Sequence, residues 1–259
     1  MTPTQAKSLY MLLMAGVLLY LVAFACSCTN LSQPEEDGEE SFRQIEVIVV
    51  TGGHGFEEEP FLSLFEGYED IEYSRAHLQD HSEIFEDVDD WDYNVIVLFN
   101  MTQKISPKRR ENFVKLLDRG VGVLALHHSM GSFQNWPEYR KIIGGKYYTK
   151  PMDDHAASTY KHDIDFSVCI EDASHPITRG LSDFEVHDET YKSCGFEKDN
   201  HVLLTTDHPT SDESIGWVRK YGKARICCIQ VGHGPSVYAD PNYRRLIARA
   251  IRWCAGELK

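Results

Sequence analysis

The chain has 259 residues, with 40 acidic against 26 basic side chains and a formal charge of −14 when histidine is neutral. Binding to phosphate backbones or anionic headgroups needs a basic surface, so this balance argues against nucleic acid as a partner. It leaves small neutral ligands open, and the length suffices for one domain with a full core.

Taken from its start, the chain opens with Lys7 and a nearly unbroken apolar run from Leu9 to Ala25, which leaves through Ala23-Phe24-Ala25-Cys26-Ser27-Cys28. Small residues before a cysteine resemble a bacterial lipoprotein signal, which predicts removal of residues 1–25 and acylation of Cys26, with Cys28 the second choice. The competing reading is an uncleaved anchor, because the run approaches the ~20 residues that span a bilayer. Either reading puts the globular part in the cell envelope, outside the cytoplasm. Loss of Lys7 with the signal would move the charge from −14 to −15. Residues 26–43, with Glu35-Glu36-Asp37 and Glu39-Glu40, carry too little apolar content to fold and read as an acidic tether. The domain proper is expected over residues 44–257.

Ile45 to Val50 reads as a first strand that runs into the turn Thr51-Gly52-Gly53-His54, followed by a short helix from about Glu57 to Phe65. No GxGxxG or GxxxxGK[ST] pattern is present, so the turn does not signal a nucleotide site. Strands follow at Ile71–Ala76 and Tyr93–Phe99. Ser106-Pro107 then opens an amphipathic helix that Gly120 stops. The run Val121 to Leu126 is apolar throughout, as expected of a strand buried on both faces, and it ends in His127-His128-Ser129. Strand and helix alternating in this way predict an α/β fold, flavodoxin-like and doubly wound, with a mainly parallel sheet and helices on both faces. Ligands of such sheets bind beyond the carboxyl ends of the strands, where His54, His127 and His128 fall.

Trp136 to Gly145 reads as a short helix with aromatics, and Ile164–Ile170 as a strand. Phe184 to Tyr191 follows, carrying His187-Asp188-Glu189; alternation along a strand sends Asp188 to one face and His187, Glu189 and Tyr191 to the other, so one set is expected to be ordinary surface. Val202–Leu204, Ile215–Val218 and Arg225–Val231 are further strands, the last ending in Gly232-His233-Gly234. A helical stripe over Asn242–Ala255 is closed by Gly256. Cys169, Cys194, Cys227, Cys228 and Cys254 are odd in number and without repeated spacing, which argues against a disulfide scaffold or a thiolate zinc site.

These motifs together, Thr51-Gly52-Gly53-His54, Gly122 to His128, Trp136 to Gly145, Ser174-His175-Pro176-Ile177, Asp188 to Tyr191, Trp217, Tyr221-Gly222-Lys223, Gly232-His233-Gly234 and Ile251 to Gly256, resemble the ThuA-like family associated with trehalose utilisation. The resemblance extends over nearly all of the chain from Ile45. It implies a class I glutamine amidotransferase-like fold, and a setting beside sugar oxidoreductases in the metabolism of glycosides through their 3-keto derivatives. The amidotransferase cysteine is absent, since His127-His128-Ser129-Met130-Gly131 stands where the family fold carries that nucleophile, so glutamine hydrolysis is not expected.

The leading expectation is an enzyme on glycosides or keto-sugars, an isomerase, lyase or hydrolase. His127, His128, Asp188 and Glu189 are its catalytic candidates, and His54, Trp136, Tyr191, Trp217 and His233 its substrate-binding candidates. Imidazole and carboxylate donors suit a divalent metal such as zinc, with His54, His127 and His233 as candidate ligands, although no HExxH signature is present. Two alternatives stand beside it: a serine hydrolase using Ser129, which keeps only the end of a G-x-S-x-G elbow, and a non-catalytic sugar-binding lipoprotein. The leader sequence yields its own test. Mass spectrometry of membrane-extracted protein should find a lipid-modified amino terminus at Cys26 and no residues 1–25, whereas an intact Met1 or acylation at Cys28 would refute this assignment.

Overall fold

The computed structural model describes residues 43–78, 82–152 and 154–259. The expected signal, Cys26, Cys28 and all but the last residue of the expected tether lie outside the described residues. In chain order the elements are β1 (Ile45–Gly52), α1 (Glu58–Leu62), β2 (Ile71–His77), β3 (Val95–Asn100), α2 (Pro107–Arg119), β4 (Gly122–Leu126), α3 (Pro137–Ile143) and β5 (Gly145–Lys146). They continue with β6 (Thr159–Ile170), β7 (Phe184–Lys192), β8 (Gly195–Phe196), β9 (His201–Thr205), β10 (Ser214–Tyr221), β11 (Ala224–Ile229), α4 (Pro235–Tyr238) and α5 (Pro241–Ala255).

The apolar runs lie together because both of their faces must be covered. Nine strands form one sheet in the order β2-β1-β3-β4-β11-β10-β9-β6-β7. From β2 to β11 neighbours are parallel, and from β11 onward every pairing is antiparallel. The doubly wound half is thus extended by an antiparallel wing. Alternation along β4 divides the core: Leu124 and Leu126 pack with α1 and α5, while Val123 and Ala125 pack with α2 and α3. Helices therefore cover both faces.

Local signals set the helix ends. Ser106 Oγ accepts from the Arg109 amide at 3.3 Å ahead of Pro107, and Asp240 accepts from the Asn242 and Tyr243 amides at 2.8 and 3.0 Å ahead of Pro241. The long helix α5 lies so close to β4 that a Cβ at Gly122 would stand 2.4 Å from the Cys254 carbonyl oxygen. Only a residue without a side chain fits there.

The wing departs from the sequence reading in one respect that shapes the site. β6 begins at Thr159, before the expected Ile164, and its first residues are exposed. Backbone pairing with β7, not an apolar face, holds this part as a strand. Between the pairs Lys161↔Thr190 and Ile164↔Asp188, the two residues His162 and Asp163 oppose Glu189 alone, and Asp163 adopts φ 55°. This is a β-bulge, which bends the strand at that point. All five described cysteines are free, and no helix among the described residues is long and apolar enough to cross a membrane.

Gly122→Ala should lower stability by ~1–3 kcal/mol, the usual cost of forcing atoms into a packed contact. Gly55→Ala, where a Cβ would meet nothing within 4 Å, should change it by no more than ~0.5 kcal/mol. Urea unfolding of the two variants checks this pair, and equal stabilities would refute the close-packing account.

Candidate functional site

Three loops at the carboxyl ends of parallel strands meet the antiparallel wing over one cleft. The first follows β1, where Gly52 and Gly53 take φ 126° and 75°. A Cβ on Gly52 would sit 2.2 Å from the Leu78 carbonyl oxygen, so the chain turns tightly there and presents His54. The second follows β4, and His127 itself adopts φ 46°, a left-handed conformation that costs a non-glycine residue ~1–3 kcal/mol. The third follows β11 and carries His233.

Bonds made by the His127 ring hold that strained turn. Its Nδ1 lies 2.6 Å from the Gln230 carbonyl oxygen. A carbonyl only accepts, so Nδ1 carries a proton and donates it. Nε2 is surrounded by Glu189 Oε2 at 2.9 Å, Tyr191 Oη at 2.9 Å and His233 Nδ1 at 3.0 Å. Glu189 Oε2 also lies 3.2 Å from His233 Nδ1, and its other oxygen lies 3.4 Å from His162 Nδ1. Among the described residues, His127, Glu189 and His233 are the histidine and acid group whose donor atoms converge closely enough to hold a metal ion.

Electrostatics follow from this crowding. Burial alone would raise the Glu189 carboxyl, but hydrogen bonds from His127 and His233 outweigh it and hold the group far below the usual carboxylate range. Glu189 is therefore ionised. His233 is raised by its bond to Glu189. His54 is lowered, chiefly by burial, and its Nδ1 donates to the Gly55 carbonyl at 2.7 Å, which leaves Nε2 as an unprotonated base. His128 is lowered further by burial and by neighbouring imidazoles. It stacks beneath His54 with ring centroids 4.4 Å apart. Burial pushes the Tyr191 hydroxyl well up, so it remains a donor.

The cleft has two lobes that share His162 and Glu189. One, of about 550 Å³, is bordered by Glu57, Asp188, His233 and Ser236. The other, of about 190 Å³, is bordered by His54, Met101, His128, Tyr147, Tyr160 and Tyr191. The larger lobe is of the size that takes a small-molecule ligand.

The expected residues divide. His54, His127, His128, Glu189, Tyr191 and His233 come together. Asp188 borders the larger lobe, but both of its oxygens accept from the Gly232 and His233 amides, at 2.7 and 2.8 Å, so it positions the His233 turn. The expectation that one face of β7 would be plain surface fails, because Asp188 and Thr190 are buried as well as Glu189 and Tyr191, while His187 is exposed beside Asp165. Trp136 and Trp217 build no wall of the cleft. Trp217 is buried, with Nε1 donating to the Ile143 carbonyl at 2.8 Å. Trp136 packs among Phe113, Phe133 and Tyr139 and borders a separate hollow along α2. His54 lies outside the convergent donor group, and Glu189 takes the place expected for it. Ser129 Oγ is buried without a hydrogen-bond partner, so no base activates it. His162 was not foreseen, and its only signal is a histidine in a polar strand.

A profile of the ThuA family, described as trehalose utilisation, matches residues 46–254. The crystal structure of a ThuA-like protein from Parabacteroides merdae superposes with a TM-score of 0.71 at 17% identity, covering 84% of this chain and 92% of that one. A ThuA-like protein from Bacteroides uniformis gives a TM-score of 0.59 at 20% identity, with coverage of 83% and 92%. A cytoplasmic protein from Salmonella typhimurium gives 0.60 at 12% identity, with coverage of 81% and 99%. No curated protein matches. These likenesses carry the fold, which is the glutamine amidotransferase-like one. The extent of the profile match settles the rest: the chain belongs to the ThuA, or trehalose utilisation, family.

Proposed function

We propose that this protein is a carbohydrate enzyme that removes a proton from the carbon beside a sugar ketone, as in a 3-keto-glycoside. The observation that carries the reading is the meeting of His54, an accessible unprotonated base, with a buried anionic cluster over one cleft. Family membership supports the sugar context. A ketone at C3 acidifies the C2 hydrogen, and histidine suits its abstraction near neutral pH.

In the reaction we envisage, His54 Nε2 takes the C2 proton and the electron pair moves toward the C3 carbonyl oxygen. Reprotonation from the opposite side would give an epimer. Expulsion of the C1 substituent instead breaks the C1–O bond, re-forms the ketone and releases an alcohol once that oxygen gains a proton. Tyr191 stands as a neutral donor at the same cluster. The ketone must come from a sugar oxidoreductase, the partner this reading requires. Acylation at Cys26 would hold the enzyme in the cell envelope.

Deuterium exchange tests this directly. In D₂O, a 3-keto-glycoside such as 3-ketotrehalose should gain deuterium at C2 in the presence of the protein, and His54→Gln should slow this by ~10²–10⁴-fold. Measurable sugar binding with no incorporation above the spontaneous rate would instead support a non-catalytic binding protein.

A further inference from the structure

Three donor atoms at the heart of the site form a closed triangle: His127 Nε2 to Glu189 Oε2 at 2.9 Å, His127 Nε2 to His233 Nδ1 at 3.0 Å, and His233 Nδ1 to Glu189 Oε2 at 3.2 Å. Protons alone do not satisfy it. The ionised carboxylate oxygen only accepts, so its two edges require a proton on both nitrogens. The nitrogen-to-nitrogen edge requires a proton on one of them and a lone pair on the other. With the acid as a carboxylate, every such assignment leaves at least one edge with like facing like. A cation at the centre removes the conflict, because all three atoms then turn lone pairs toward it.

We propose that His127 Nε2, His233 Nδ1 and Glu189 Oε2 bind one divalent transition ion of the zinc class. Around such an ion, with bonds of ~2.0–2.2 Å in tetrahedral geometry, donor atoms stand about 3.3–3.6 Å apart, so the triangle admits it by opening a few tenths of an ångström along each edge. Two imidazoles and one carboxylate are its usual donors. The supporting bonds are also those of a metal centre. His127 Nδ1 donates to the Gln230 carbonyl, which fixes the tautomer that leaves Nε2 free, and Asp188 ties down the turn that carries His233.

A second observation points the same way. Both ring nitrogens of His128, Ser129 Oγ and both polar side-chain atoms of Gln230 are buried without hydrogen-bond partners, all beside the ends of β4 and β11. Buried polar atoms are seldom left so, and of these residues His128 borders the cleft, where water or a ligand bound with the ion would meet it. Three fixed donors leave a position open to the cleft, where His162 and Tyr191 stand nearest. Such an ion would polarise a carbonyl oxygen held there. That use rests on the function proposed above, whereas the binding does not.

Zinc binding by the full-length protein, measured without substrate, tests the proposal and keeps its failure distinct from that of the sugar chemistry. Chelator-stripped protein in detergent, titrated with Zn²⁺ and then dialysed, should retain about one zinc per chain by elemental mass spectrometry. Cobalt substitution should give visible ligand-field bands. Glu189→Gln and His233→Gln should each weaken zinc binding by ~10-fold or more, the least expected for loss of a ligand when outer partners alone are worth ~10–100-fold. His201→Gln, on an exposed residue paired with Asp172, should leave it unchanged. His233 is half-buried, and circular dichroism of that variant verifies its fold. Folded wild-type protein that holds no stoichiometric zinc would overturn the proposal, as would undiminished affinity in both ligand variants.

Discussion

Glu189 keeps a negative charge out of water between imidazoles delivered by separate loops, and the geometry around it follows from that requirement. An ionised carboxylate taken from solvent costs several kcal/mol unless both oxygens are engaged. Here Oε2 meets His127 and His233, while Oε1 lies near His162. To supply those contacts, the chain must leave β4 in a left-handed turn at His127 and fix the Gly232–His233 turn on Asp188. Successive residues of β7 thus have different tasks: Asp188 holds a loop and Glu189 holds the charge.

The two halves of the sheet divide this work. Parallel strands, buried on both faces, place three histidine loops along one edge, as ligand-binding α/β sheets generally do. The antiparallel wing returns over that edge and contributes Glu189 and Tyr191, with His162 brought above them by the bulge in β6. None of the five described cysteines borders either lobe of the cleft.

Much of this was legible in the residues. Apolar runs located β1, β3, β4 and β11, and Ser106-Pro107, Gly120 and Gly256 marked helix ends, because such signals act within a few residues of themselves. The histidines were legible for the same reason, each standing directly after an apolar strand. Other parts depended on distant pairing. Polar Thr159–Asp163 reads as loop until β7 lies beside it, and so His162 escaped notice. Trp136 and Trp217 are chemically suited to sugar stacking, yet the space between α3 and β10 claims Trp217 for packing, and α2 covers Trp136. Alternation along β7 predicted that its cluster would divide, yet His187, Asp188 and Glu189 all border the larger lobe, beside the bulge opposite Glu189, and the covering of both faces depended on elements from elsewhere in the chain.

A paired measurement on Glu189→Gln tests most directly whether the buried charge is kept for chemistry or for stability. Melting temperature is read in chelator, so that no metal contributes, and deuterium exchange into a 3-keto-glycoside is read with zinc added. If the charge serves chemistry, the amide should leave the melting temperature within a few degrees of wild type, since His127 and His233 can release a proton to solvent and so leave no uncompensated buried charge, while exchange falls by ~10²-fold or more. A melting temperature lowered well beyond that, with exchange per folded molecule unchanged, would contradict the account and make Glu189 a structural ion-pair partner.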